Sequence, residues 1–250
     1  MRRLRAALED FGQMIFFALE TLAWVFRPPF RPELVLAQMA FIGVGSVFIV
    51  GVTGSFTGMV LALQMNYALH QFAAEGYVGG SVVFSLAREL SPVMAGLMIT
   101  GRAGSAIATE LGTMRVTEQI DAMDTMAVNP IQYLVVPRVI ASLVMFPALT
   151  MLFNALGTGG AWVMSIYVAG IPKGPFIEHM RGFVDPGDLL HGLAKSVVFG
   201  LVVSIITTWR GYAAEGGARG VGEGTTRAVV SSSIAILVVD YAMTVLAMGG

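Results

Sequence analysis

Apolar residues fall in five long runs separated by short polar connections, and a sixth, patchier apolar pattern precedes them. In that first stretch Leu4, Leu8, Phe11, Ile15, Leu19, Leu22 and Phe26 recur every three or four residues, the spacing of one helix face. Arg2, Arg3, Arg5, Glu9, Asp10, Gln13 and Glu20 interrupt it, and no small-residue cleavage site follows a compact apolar core. Residues 1–27 are therefore predicted as an amphipathic helix lying in a membrane interface, ended by Arg27-Pro28-Pro29. The five runs predict transmembrane helices over 34–63, 82–108, 139–170, 192–209 and 228–248, with a polar loop and one short helix over 171–191. A glycine-rich loop over 211–226 is expected before the last span.

Particular residues modify these runs. At about 1.5 Å per residue the first run would reach roughly 45 Å, more than a hydrocarbon core of about 30 Å, so it is tilted, kinked or protruding. Its Gly54-x-x-x-Gly58 allows close helix approach, read as packing within one subunit in preference to a dimer seam. Beyond it Leu61, Met65, Leu69 and Phe72 continue an apolar face that calls for a lipid or a partner. Ser91-Pro92 is expected to kink the second run, and Pro147 and the Gly157–Gly160 cluster to break the third.

Composition puts all of this in a bilayer. The 250 residues are 56% hydrophobic and only 12% charged, with a mean hydropathy of +0.75; soluble domains carry about 25% charged residues. The fold class is an all-α integral membrane protein, with residues 1–250 forming a single domain. A net charge of −1 argues against a nucleic-acid partner. The lack of cysteine removes disulfides and thiolate chemistry. Basic residues fix the expected orientation: with the N-terminus cytoplasmic, ten of the fifteen lie in cytoplasmic segments and only Lys173 and Arg181 outside, so the C-terminus is periplasmic.

Five charges lie inside the runs. Each costs roughly 2.5–3.5 kcal/mol at mid-bilayer unless it finds a partner or a watery cavity. Arg88, Glu89, Lys195 and Asp240 fall at similar depth in the outer half and sum to zero. They are expected to form a polar cluster, with Lys195 and Asp240 as one pair, acting either as a structural network or on a lipid-headgroup path. Arg102 lies nearer the other end and is expected to snorkel to headgroups or cap a helix end.

Residues 109–126 form the charged connection between spans 2 and 3. Thr117 is predicted as an N-cap with Glu118 and Asp121 in the first turn. Met114, Arg115, Glu118, Asp121 and Met123 mark a short amphipathic helix, either a solvated loop or a docking element for a soluble partner. No Gly-x-x-x-x-Gly-Lys-[Ser/Thr] occurs, so any ATP is bound elsewhere. Gly220-x-Gly222-x-Gly224 has no strand before it, His70, His179 and His191 lack metal-ligand spacing, and Ser231-Ser232-Ser233 has no base nearby in sequence. No catalytic or metal site is expected.

Longer words in the chain carry a resemblance. Arg88-Glu89-Leu90-Ser91-Pro92, Gly101-Arg102-Ala103-Gly104, the run Glu110-Leu111-Gly112-Thr113-Met114-Arg115-Val116-Thr117-Glu118-Gln119-Ile120-Asp121-Ala122-Met123, Val128-Asn129-Pro130 and Pro137-Arg138 closely resemble the MlaE (YrbE) family of ABC-transporter permeases. Gly220-Val221-Gly222, Thr225-Thr226-Arg227-Ala228-Val229-Val230 and Asp240 extend the likeness over nearly the whole chain. The resemblance implies a homodimeric, non-catalytic permease of the bacterial inner membrane that moves phospholipid between inner and outer membranes and so maintains outer-membrane lipid asymmetry. It implies an ABC ATPase partner holding ATP and Mg, a STAS-domain protein, and a periplasmic MCE-domain hexamer. Residues 109–126 would dock on the ATPase as a coupling helix, and the outer end of span 1 would border the lipid cavity. Two other classes stand beside this reading: an ion-coupled secondary transporter using Glu89 or Asp240, and a structural membrane anchor of a lipid-binding complex.

Overall fold

The computed structural model describes residues 2–248, with side chains described from residue 8 to residue 247. The side chains of Arg2, Arg3, Leu4 and Arg5 from the first apolar pattern lie outside the described residues. Within the described residues every regular element is a helix. Five helices are long and apolar enough to cross a membrane: span 1 Pro32–His70, span 2 Glu75–Val116, span 3 Ile131–Val168, span 4 Pro186–Tyr212 and span 5 Gly217–Ala247. A first helix Arg2–Val25 precedes them, and short helices Gln119–Thr125 and Lys173–Phe183 lie in two of the connections.

Each span begins before its sequence-predicted start, for identifiable reasons. Span 4 begins at Pro186, not Gly192, because Asp185 and Asp188 form a capping box and Pro186 supplies a preset first turn. The expected loop over 211–226 is mostly helix. Span 4 runs on to Tyr212, Gly216 and Gly217 turn the chain at φ of +85° and +68°, and span 5 starts at once. Span 3 runs as α-helix from Val136 to Val163 without breaking at Pro147 or at the glycine cluster. Span 2 is α-helical except where it widens into π turns at Leu86–Leu90 and Thr100–Gly104. The first of these stands directly before Pro92, whose missing N–H and ring disturb the preceding turn. All three charged residues in the apolar body of span 2, Arg88, Glu89 and Arg102, sit in these π turns.

Small residues set the span 1–span 3 crossing. Gly54 and Gly58 are buried, and a Cβ at Gly58 would stand 1.9 Å from the carbonyl oxygen of Gly157. One at Gly160 would stand 2.3 Å from that of Ser55. The Gly54-x-x-x-Gly58 face is thus used within the subunit. One continuous core joins the spans through Ile42, Val82, Ile99, Phe153, Phe199 and Ile236. A second cluster, Phe17 with Ile131, Val135, Val139 and Ile205, seats the first helix on spans 3 and 4. There Asp10 accepts hydrogen bonds from Trp209 Nε1 at 3.2 Å and Arg210 at 2.7 Å. The other side of that helix, Leu8, Phe11, Ile15, Leu19, Leu22 and Phe26, remains exposed.

Gly58→Ala is expected to lower the stability of the detergent-solubilised protein by about 1–3 kcal/mol, because backbone, not a flexible side chain, stands in the way. Gly159→Ala, where nothing lies within 4 Å, is the control and should leave the thermal unfolding midpoint unchanged.

Candidate functional site

Lys195 is the best-buried charge among the described residues, with 0% of its side chain exposed. It sits one turn past His191 on span 4, in a helix whose apolar neighbours give it no exit to water. Its ammonium meets three oxygens: Glu89 Oε2 of span 2 at 2.5 Å, Thr244 Oγ1 of span 5 at 2.7 Å, and Asp240 Oδ1 at 2.9 Å. The Asp240 approach is an ion pair without hydrogen-bond alignment, since Asp240 Oδ1 has no hydrogen-bond donor. Thr244 donates in turn to the carbonyl of Asp240, at 2.9 Å. One cation therefore ties three spans together.

Arg88 extends the cluster. Its guanidinium lies 4.0 Å from Glu89 and 3.1 Å from Asp188, the residue that also closes the capping box of span 4. The layer so formed has two cations, Arg88 and Lys195, and three carboxylates, Glu89, Asp240 and Asp188. Asp188 was legible only as a loop acid, because its place depends on span 4 starting earlier than its apolar run. Glu89 is 37% exposed, so the layer opens to the surface of the chain on one side. Among the described residues no group of histidines and carboxylates has the geometry to hold a metal ion.

Three further polar contacts fasten the spans. Ser91 donates to Asn154 Oδ1 across spans 2 and 3 at 2.6 Å, both residues being buried. The lone asparagine in span 3's apolar run was the available signal. Arg138, counted above among cytoplasmic loop charges, is instead buried at the start of span 3. It pairs with Glu110 of span 2 at 2.8 Å and donates to the carbonyl of Leu134 at 2.6 Å. Its apolar neighbours Val135, Val136, Val139 and Ile140 foretold burial. Arg102 neither snorkels nor caps a terminus. It donates to the carbonyl of Phe41 in a π turn of span 1 and lies over the Phe41 ring at 4.9 Å.

The connection between spans 2 and 3 departs from its expected form. Span 2 continues to Val116, Glu118 reverses the chain at φ 59°, and the separate helix is only Gln119–Thr125. Thr117 is not its N-cap, because its hydroxyl bonds back to Thr113 at 2.8 Å. Met114 and Met123 pack partly against the core and Ile120 is fully buried. Arg115 pairs with Asp121 at 2.5 Å, and Glu118, Asp121, Asp124 and Met126 face outward. At the other end of span 1, Leu61, Met65 and Leu69 are partly buried against the chain's own core, and only Phe72 is exposed. The unpartnered face of span 1 is instead Val44, Phe48, Val52, Phe56, Val60 and Leu63, and spans 1 and 5 are the least buried. A run that is apolar on nearly every side conceals which of its faces is turned inward.

The family model described as "Permease MlaE" matches residues 35–246. A probable ABC transporter permease protein of Rickettsia bellii is 41% identical over 243 residues, covering 97% of this chain and 93% of the relative. The intermembrane phospholipid transport system permease protein MlaE of Haemophilus influenzae is 37% identical over 246 residues, covering 97% and 92%. A chloroplastic protein of Arabidopsis thaliana, trigalactosyldiacylglycerol 1, is 36% identical over 209 residues, covering 84% of this chain and 60% of its own length.

Lys195→Met is expected to cost about 3 kcal/mol of stability, since it strands two carboxylates in a layer only partly open to water. Glu89→Gln, at the open side, should cost about 1 kcal/mol. Thermal unfolding in one detergent checks the order; equal effects would show that burial of Lys195 does not govern the cluster.

Proposed function

The chain belongs to the MlaE permease family, and from that premise we propose that it is the membrane subunit of an ATP-driven ABC transporter that moves phospholipid between inner and outer membranes, maintaining outer-membrane lipid asymmetry. The observation that carries the reading is that the family match runs through all five spans and through the charged layer that joins spans 2, 4 and 5. The relatives' names, which include an intermembrane phospholipid transport permease, support the cargo.

In this reading the chain holds no nucleotide, and ATP and Mg are bound by a separate ATPase. The outward residues of 117–126 form its docking surface. Ile120 and the partly buried Met114 and Met123 anchor that surface to the bundle, so a push on the helix reaches span 2 through Val116 and span 3 through the Arg138–Glu110 pair. Two copies associate through the apolar faces left open on spans 1 and 5, which are too extensive for the chain to cover alone. Arg88, Glu89 and Asp240, each partly exposed, then face the space between copies, where a zwitterionic headgroup would meet both signs of charge, and Phe72 meets the acyl chains. The N-terminus is cytoplasmic in the inner membrane. A STAS-domain protein attends the ATPase, and an MCE-domain hexamer receives or delivers lipid on the periplasmic side.

Gentle purification of the tagged full chain tests this directly. A nucleotide-binding subunit and an MCE-domain protein should accompany it. Met126→Glu, on the exposed face, should reduce recovery of the ATPase at least tenfold while leaving the chain folded. Undiminished ATPase recovery would remove 117–126 as the docking surface, and absence of any ATPase from the wild-type preparation would remove the reading.

A further inference from the structure

A cavity of about 320 Å³ lies where the first helix turns into span 1 and both meet the start of span 3. It stands at the opposite end of the bundle from the charged layer, because spans 1 and 3 start where spans 2 and 4 end. Its wall is apolar, built from Val25, Pro29, Val35, Leu36, Val136 and Ile140. Gln132 closes one side by donating its side-chain amide to the carbonyl of Arg27 at 3.0 Å. The volume is at the small end of ligand pockets, which run about 300–1,000 Å³, enough for part of one acyl chain.

Two exposed arginines line the same cavity. Arg27 lies over the Trp24 ring at 5.1 Å and Arg31 over the Tyr133 ring at 4.7 Å. Neither has a carboxylate partner among the described residues; Glu33, the nearest acid in sequence, is exposed and forms no ion pair there. A guanidinium held over a ring, with no carboxylate on it, keeps N–H groups available to grip a phosphate. Tryptophan and tyrosine beside two unpaired arginines also mark a headgroup level, where an apolar body and a polar tip are both satisfied.

We propose that this groove binds an anionic glycerophospholipid of the leaflet at that end of the bundle, its phosphate on Arg27 and Arg31 and part of one acyl chain in the cavity. Charge complementarity selects the occupant: an apolar slot alone would take any chain, whereas two unpaired guanidinium groups discriminate for a headgroup with net negative charge. The lipid clamps the first helix to spans 1 and 3, and it is a bound component, separate from any transported cargo. The inference rests on the spans and the cavity and stands apart from the transport reading.

Native mass spectrometry of the full chain, titrated in detergent with phosphatidylglycerol or phosphatidylcholine, tests it. The wild type should hold one phosphatidylglycerol at least tenfold more tightly than phosphatidylcholine, on the scale expected for two basic residues at a membrane surface. Arg27→Gln with Arg31→Gln should abolish that preference, and Leu36→Trp, which crowds the mouth of the cavity, should remove the tight adduct with both arginines intact. Adducts unchanged in the arginine variant would overturn the proposal. So would a preference that survives Leu36→Trp, which would mean surface charge without a groove. Displacement by millimolar inorganic phosphate would reassign the site to a free anion. A shift in the monomer–dimer balance without lipid loss would give the groove to a second copy.

Discussion

A single buried ammonium holds the centre of this molecule. Lys195 of span 4 is fully buried, so spans 2 and 5 must bring oxygens to it, and the mutual register of the three spans follows from that requirement. Apolar packing alone would leave those registers loose, since lipid tails compete with side chains for the same surfaces. The charged layer therefore specifies an arrangement that small residues and dispersion then fill. Where spans 1 and 3 cross, backbone meets backbone at Gly58 and Gly157 and no charge is required.

The charges in span 2 coincide with its departures from ideal helix. Arg88 and Glu89 occupy one π turn and Arg102 another, and Arg102 reaches a carbonyl in a π turn of span 1. A π turn frees a backbone carbonyl from its regular partner, and a cation can then satisfy it. This gives span 2 two points where the helix can adjust by a fraction of a turn. The first lies in the charged layer itself and the second between that layer and the helix Gln119–Thr125, the positions a lever would need.

Much of this was legible in the residues. Five apolar runs appear as five spans, and the intramembrane charges pointed to one another because an unpaired charge there is too costly. What periodicity could not give was helix ends and faces. Span 4 was read late because Asp185 and Asp188 looked like loop residues, when they cap the helix and one of them reaches Arg88. The glycines of 211–226 suggested a loop, yet Gly220 packs so closely that a Cβ would stand 1.6 Å from the Glu215 carbonyl. Arg138 looked like a residue of the connection before span 3 until its apolar neighbours were given a helix to share. Leu61, Met65 and Leu69 looked outward because a run apolar on all sides does not mark its inner face.

ATP hydrolysis in a partner is the step proposed to drive lipid across this bundle. Proteoliposomes carrying the purified complex, with labelled phospholipid in donor membranes and the MCE-domain protein as acceptor, measure that transfer directly. Transfer that requires hydrolysable ATP is the expected result. Transfer that proceeds equally without nucleotide, and follows an ion gradient instead, would contradict it.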